Sequence, residues 1–79
     1  MIMSTTSDLV LAVATEYLGP AAITLLERQT KFHMAGLSFQ DLMPEHCSEL
    51  ANWVGIASSM FIEQDQALAL AEQIRKIKA

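Results

Sequence analysis

The 79-residue chain holds one cysteine, two prolines, three glycines, one tryptophan, one tyrosine, and only five basic residues against nine acidic ones. Each scarcity closes a route. Cys47 by itself cannot form an internal disulfide, so no covalent staple supports this small chain, and the usage fits a reducing compartment. It also leaves no CxxC pair for a zinc site. At a net charge of −4, the chain lacks the cations that neutralise phosphates. This argues against non-specific nucleic-acid binding and against an anionic membrane surface. The opening "MIMSTTSDLVLAVA" has no positive stretch ahead of its apolar run, so a secretory leader is not expected. A membrane helix needs roughly 20 uninterrupted apolar residues, and Glu16 and Gly19-Pro20 interrupt the run that is present. A cytoplasmic protein is expected.

Apolar residues, by contrast, are plentiful: they make up 52% of the chain, while charged residues make up 18%. Small chains have relatively more surface to solvate, so the opposite balance would be normal. A chain of this length forms one domain with a thin core, and sharing a core with a partner is a common remedy. The surplus therefore points to association, either as a homodimer or with another protein.

The apolar residues recur with the period of helices rather than strands. Residues 1–6 show no pattern and are expected to be mobile, leaving residues 7–79 as a single helical domain. Thr6 or Ser7 caps a first helix whose run from Leu9 to Leu18 is apolar nearly all round. Gly19 and Pro20 read as stop, turn and start, because glycine accepts the left-handed conformation that ends a helix and proline fits the first turn of the next; a kinked continuous helix is the other reading. The second helix runs from Pro20 to about Met34, with Ala22, Ile23, Leu26, Thr30 and His33 inward and an outer Glu27–Lys31 pair. Ala35-Gly36 closes it. Ser38 and Asp41 resemble a capping box over a single turn, and Pro44 opens the next helix.

That third helix, to about Met60, carries two stripes at 100° per residue. Cys47, Leu50, Ala51, Val54, Ala57 and Phe61 share one face; Trp53, Ile56 and Met60 form a second, with Gly55 between them able to admit a close neighbour. Asp65 is the expected N-cap of a last helix running to Ile77, with Ala67, Leu70, Ala71, Ile74 and Ile77 on one side. Arg75, Lys76 and Lys78 then complement its negative end. The fold class is all-α: a small bundle of four main helices plus a short helical turn, expected to be oligomeric.

Candidate chemistry is thin. His46 and Cys47 are neighbours on a helix, so their side chains point about 100° apart and do not converge as base and nucleophile. Cys47 lies on the core stripe, where a free thiol behaves as a small hydrophobe. Glu45 and Glu49, four apart, and Asp41 read as a solvated face. Glu16 interrupts an apolar helix: it marks that helix's wet edge or pairs with a cation across an interface. There is no glycine-rich phosphate loop, GxSxG or HExxH. No catalytic residue, cofactor or metal is expected. A helix-turn-helix DNA reader is the alternative, from the length of "FQDLMPEHCSELANWVGIASS", although Glu45, His46 and Glu49 stand where such a helix presents cations.

The string "YLGPAAITLLERQ", followed by "LSFQDL" and "ALAEQI", resembles a small helical module attached to bacterial signalling proteins, including Ser/Thr kinases and cyclases. There an aromatic-aliphatic-Gly-Pro-x-Ala motif opens a helix, matched here by Tyr17, Leu18, Gly19, Pro20 and Ala22. The resemblance implies an accessory interaction or oligomerisation role and no chemistry of its own. The expected function is a non-catalytic interaction or homodimerisation module, an adaptor in bacterial signalling. Its interface candidates are Leu11, Tyr17, Trp53, Ile56 and Met60, on the first helix and the second stripe, because aromatics and methionine are enriched at interface cores; for Trp53 the other reading is a plug in the domain's own core.

Overall fold

A computed structural model describes residues 5–77. It is all-α: 79% of the chain described is helical, and no strand occurs among those residues. Four α-helical segments follow in order, α1 (Thr6–Leu18), α2 (Ala22–His33), α3 (Cys47–Ser58) and α4 (Gln64–Arg75), with single 3-10 turns at Gly19–Ala21, Phe39–Asp41 and Pro44–His46. The first of these turns joins α1 to α2 without a loop, and the last runs directly into α3. The chain therefore forms three continuous helical stretches rather than the four separate helices the sequence predicts.

The reason lies at Gly19. Its backbone (φ 63°, ψ −146°) belongs to a region that only glycine adopts readily, so it redirects the chain within a single residue. Pro20 then opens the 3-10 turn that feeds α2, as its fixed φ and missing N–H allow. No loop results: Thr6–His33 runs as one continuous helical stretch with its break at Gly19. The Thr6–His33 stretch as a whole is long and apolar enough to cross a membrane, with a mean hydropathy of 1.7 in its most apolar window. Core helices of soluble proteins and leader sequences pass the same test, and Val10, Ala14, Ala22 and Leu26 from this stretch are fully buried within the bundle.

The helix ends differ in detail from the sequence reading. Thr5, not Thr6 or Ser7, caps α1. Its Oγ1 accepts from the Asp8 backbone N–H, and the Asp8 carboxylate accepts from the Thr5 N–H, each at 3.2 Å, a reciprocal capping box. Thr5 and Thr6 thus belong to the helical unit, while residues 1–4 of the expected mobile segment lie outside the described residues, as does Lys78. Ser38 precedes its 3-10 turn without a side-chain cap, and Glu63 rather than Asp65 occupies the N-cap of α4. Asp65 sits inside the first turn, where its charge still favours the helix dipole.

Each helix touches two neighbours, α1 against α2 and α4, α3 against α2 and α4, which closes a ring around one core. Leu26, Leu50, Leu70, Ile74, Val10 and Val54 are its largest fully buried apolar side chains. The most extensive contact is α3 on α4, and Gly55 permits it: a Cβ there would stand 3.3 Å from that of Ala71. On α2, Leu25 is buried where the sequence reading placed Ile23 and His33; Ile23 is half-buried and His33 exposed. Glu27 and Lys31 form no ion pair; instead the Lys31 ammonium lies 5.6 Å from the Phe32 ring centroid. Phe61, expected on the core stripe of α3, is exposed because the helix stops at Ser58. The Phe61 and Ile62 N–H groups both fold back to the Ser58 carbonyl, at 2.8 and 2.9 Å. The Cα radius of gyration, 11.3 Å, matches the ~11.6 Å expected of a compact chain this long. Side chains that remain exposed are therefore not the product of a loose fold.

Candidate interaction surface

Among the described residues, six large hydrophobic side chains are exposed: Phe32, Met43, Ile56, Met60, Phe61 and Leu68. Four of them surround the connection between α3 and α4, where Ile56 is 64% exposed, Met60 81%, Phe61 74% and Leu68 61%. Their position follows from local structure. Ile56 points away from the Leu50–Ala51–Val54 core face of α3. Met60 lies one turn further along the same side, in a turn held by the Met60 N–H on the Ala57 carbonyl at 3.3 Å. Leu68 stands on α4 between the buried positions Ala67 and Leu70 but turned outward.

Two grooves are lined by these residues in pairs, Met60 and Phe61 in one, Ile56 and Leu68 in the other. The first, about 590 Å³, lies between the α1–α2 corner and the end of α3. Tyr17, Leu18, Leu25, Ala57, Met60 and Phe61 give it apolar walls, and Thr24, Arg28 and Gln29 give it one polar edge, all on α2. The second, about 550 Å³, runs along the α3–α4 seam past Gly55, Ile56, Ala67, Leu68 and Ala71. At its end Arg75 ties the two helices, its guanidinium donating to Asn52 Oδ1 at 2.6 Å and lying 3.5 Å from the Glu72 carboxylate.

Of the residues singled out by sequence, Tyr17 and Met60 meet in the first groove and Ile56 lines the second. Leu11 is half-buried on α1 against the core. Trp53 lies in the chain's own α2–α3 seam. Its ring stacks on His33 with centroids 4.1 Å apart and planes 12° from parallel, and its indole N–H points to Glu49 Oε2 at 3.5 Å. Phe61 and Leu68 were not singled out as surface. Leu68 had a readable signal, an apolar residue off the Ala67–Leu70–Ala71–Ile74 stripe. Phe61 had none, because only the early end of α3 removes it from the core face.

The polar candidates stay apart. His46 Nδ1 accepts the Met43 N–H at 2.9 Å, which turns the imidazole back over its own turn. Cys47 is buried, with its Sγ 4.0 Å from the Met43 carbonyl oxygen, and burial pushes the thiol pKa up. Asp41, Glu45 and Glu49 are all exposed, and no group of three metal-ligating side chains gathers among the described residues. Set beside known protein families, curated proteins and solved structures, the chain matches none.

Proposed function

We propose that the chain is a non-catalytic protein-association module, self-associating through the apolar end built by the α3–α4 connection. One observation carries this reading: Ile56, Met60, Phe61 and Leu68, in or near the α3–α4 connection along the chain, are each exposed on an otherwise compact bundle, Met60 and Phe61 beside the first groove and Ile56 and Leu68 beside the second. Exposed apolar surface costs roughly 25 cal/mol for every Å² that a partner could cover, and an excess of large apolar side chains at the surface favours interaction. Met60 and Phe61 are of residue types that interface cores favour. The exposed acids on the opening turns of α3 give no footing for duplex DNA, which wants cations there. The resemblance of the Tyr17–Ala22 opening to accessory modules of signalling proteins is in keeping with such a role. Light scattering across concentration tests the reading. The wild-type mass should rise with concentration, and Ile56→Glu or Met60→Glu should abolish the rise while leaving the helical circular dichroism intact. A mass that stays monomeric throughout for the wild type would overturn it.

A further inference from the structure

We propose that the first groove binds a free fatty acid, with the carboxylate at Arg28 and the alkyl chain against the apolar walls. The proposal goes beyond the association reading and does not depend on it. At about 590 Å³ the groove has the size of small-molecule sites, which combine apolar walls with a few polar groups that orient the ligand. Here those polar groups share one edge. Thr24 and Arg28 are four residues apart on α2, hence neighbours on its surface, and both line the groove. Charge then selects the ligand. Among the described residues, no acid lines the groove. Arg28 makes no ion pair or side-chain hydrogen bond with a described residue, and the Thr24 hydroxyl makes none either. Residues of the same types elsewhere are engaged. Thr15 and Thr30 donate to the carbonyls of Leu11 and Leu26, and Arg75 in the second groove is held by Glu72 and Asn52. The α2 edge thus keeps a guanidinium and a hydroxyl free beside apolar surface. The planar guanidinium fork matches a carboxylate in shape. One cation balances its single negative charge, whereas the second charge of a phosphate monoester would go unmatched in a chain at −4. An alkyl chain laid against Met60 and Phe61 removes part of their exposed apolar surface from water.

Two probes with the same alkyl chain and opposite head charge test the proposal, dodecanoate and dodecyltrimethylammonium, each titrated below its micelle concentration into dilute chain by calorimetry. The wild type should bind one dodecanoate per chain, about tenfold more tightly than the cation, because the carboxylate gains charge-assisted hydrogen bonds at Arg28. A chain at −4 attracts the cation on general grounds, so unspecific uptake of a detergent-like molecule gives the opposite order. Arg28→Gln should remove the preference for dodecanoate, and Arg28→Glu should reverse it; Arg28 is exposed, so neither change disturbs the core. Resonances of Tyr17 and Met60 should shift with bound dodecanoate, which places the chain in the groove. A wild type that favours the cation, a preference for dodecanoate that survives Arg28→Gln, or binding without a one-to-one end point overturns the proposal. None of these outcomes touches the association reading, which is decided by the mass of the chain without added ligand.

Discussion

Ser58, the last residue of α3, is buried one turn after Val54, although the stripe read from sequence passes through Ala57 and Phe61. Its side chain is fully buried and its Oγ has no hydrogen-bond partner among the described residues. A buried hydroxyl left unpaired costs about 1–3 kcal/mol, and alanine removes the hydroxyl without opening a sizeable cavity. Ser58→Ala should therefore raise stability by about 1 kcal/mol, read as a higher urea midpoint at unchanged slope. Cys47 gives a second handle at this scale. Burial lifts its thiol above the ordinary value of 9.0, so the native state holds that proton more tightly than the unfolded chain does. The stability this provides is fully present below about pH 9 and is lost as pH rises through the higher native value. Wild-type midpoints should fall in alkaline solution, and Cys47→Ala should remove that part of the fall. The burial of Cys47 was legible from its place on a 100° stripe; the orphaned Ser58 hydroxyl was not, because periodicity marks a face without saying what each polar atom on it will meet.

The corner between α1 and α2 decides how the first groove is built, since it sets Tyr17 and Leu18 on one side and Leu25 and Arg28 on another. Gly19 holds that corner in a conformation closed to other residues, yet nothing stands within 4 Å of where a Cβ would lie. The effect of Gly19→Ala is therefore a backbone effect alone, and a loss of about 1–3 kcal/mol is expected on thermal or urea unfolding. Sequence reasoning found this corner from the residue pair itself, and likewise Pro44 and the close pass at Gly55, because glycine and proline act through their own backbone. It misjudged the ends: Thr5 takes the cap that was given to Thr6 or Ser7, and α3 stops before Phe61. An apolar stripe continues on paper past the point where the hydrogen bonds turn back. α2 is rotated so that Leu25 replaces Ile23 inside, a choice made by the neighbours α1 and α3 rather than by its own pattern.

At the scale of the molecule, the excess of apolar residues was visible in composition, and part of it does remain outside the core. Where it gathers was only half visible. Ile56 and Met60 were readable as a second stripe, but that Ile56 shares a groove with Leu68 depends on how α3 packs on α4, and the groove that Met60 shares with Phe61 depends on four segments at once. A bundle of 79 residues has little core to spare, and the proposed association with a second copy would extend it. Sedimentation equilibrium of the 8.7 kDa chain over a wide concentration range tests this most directly. The account predicts a weight-average mass that climbs toward twice the monomer for the wild type and stays at one for Met60→Glu. A wild-type mass that holds at the monomer at every concentration would contradict it.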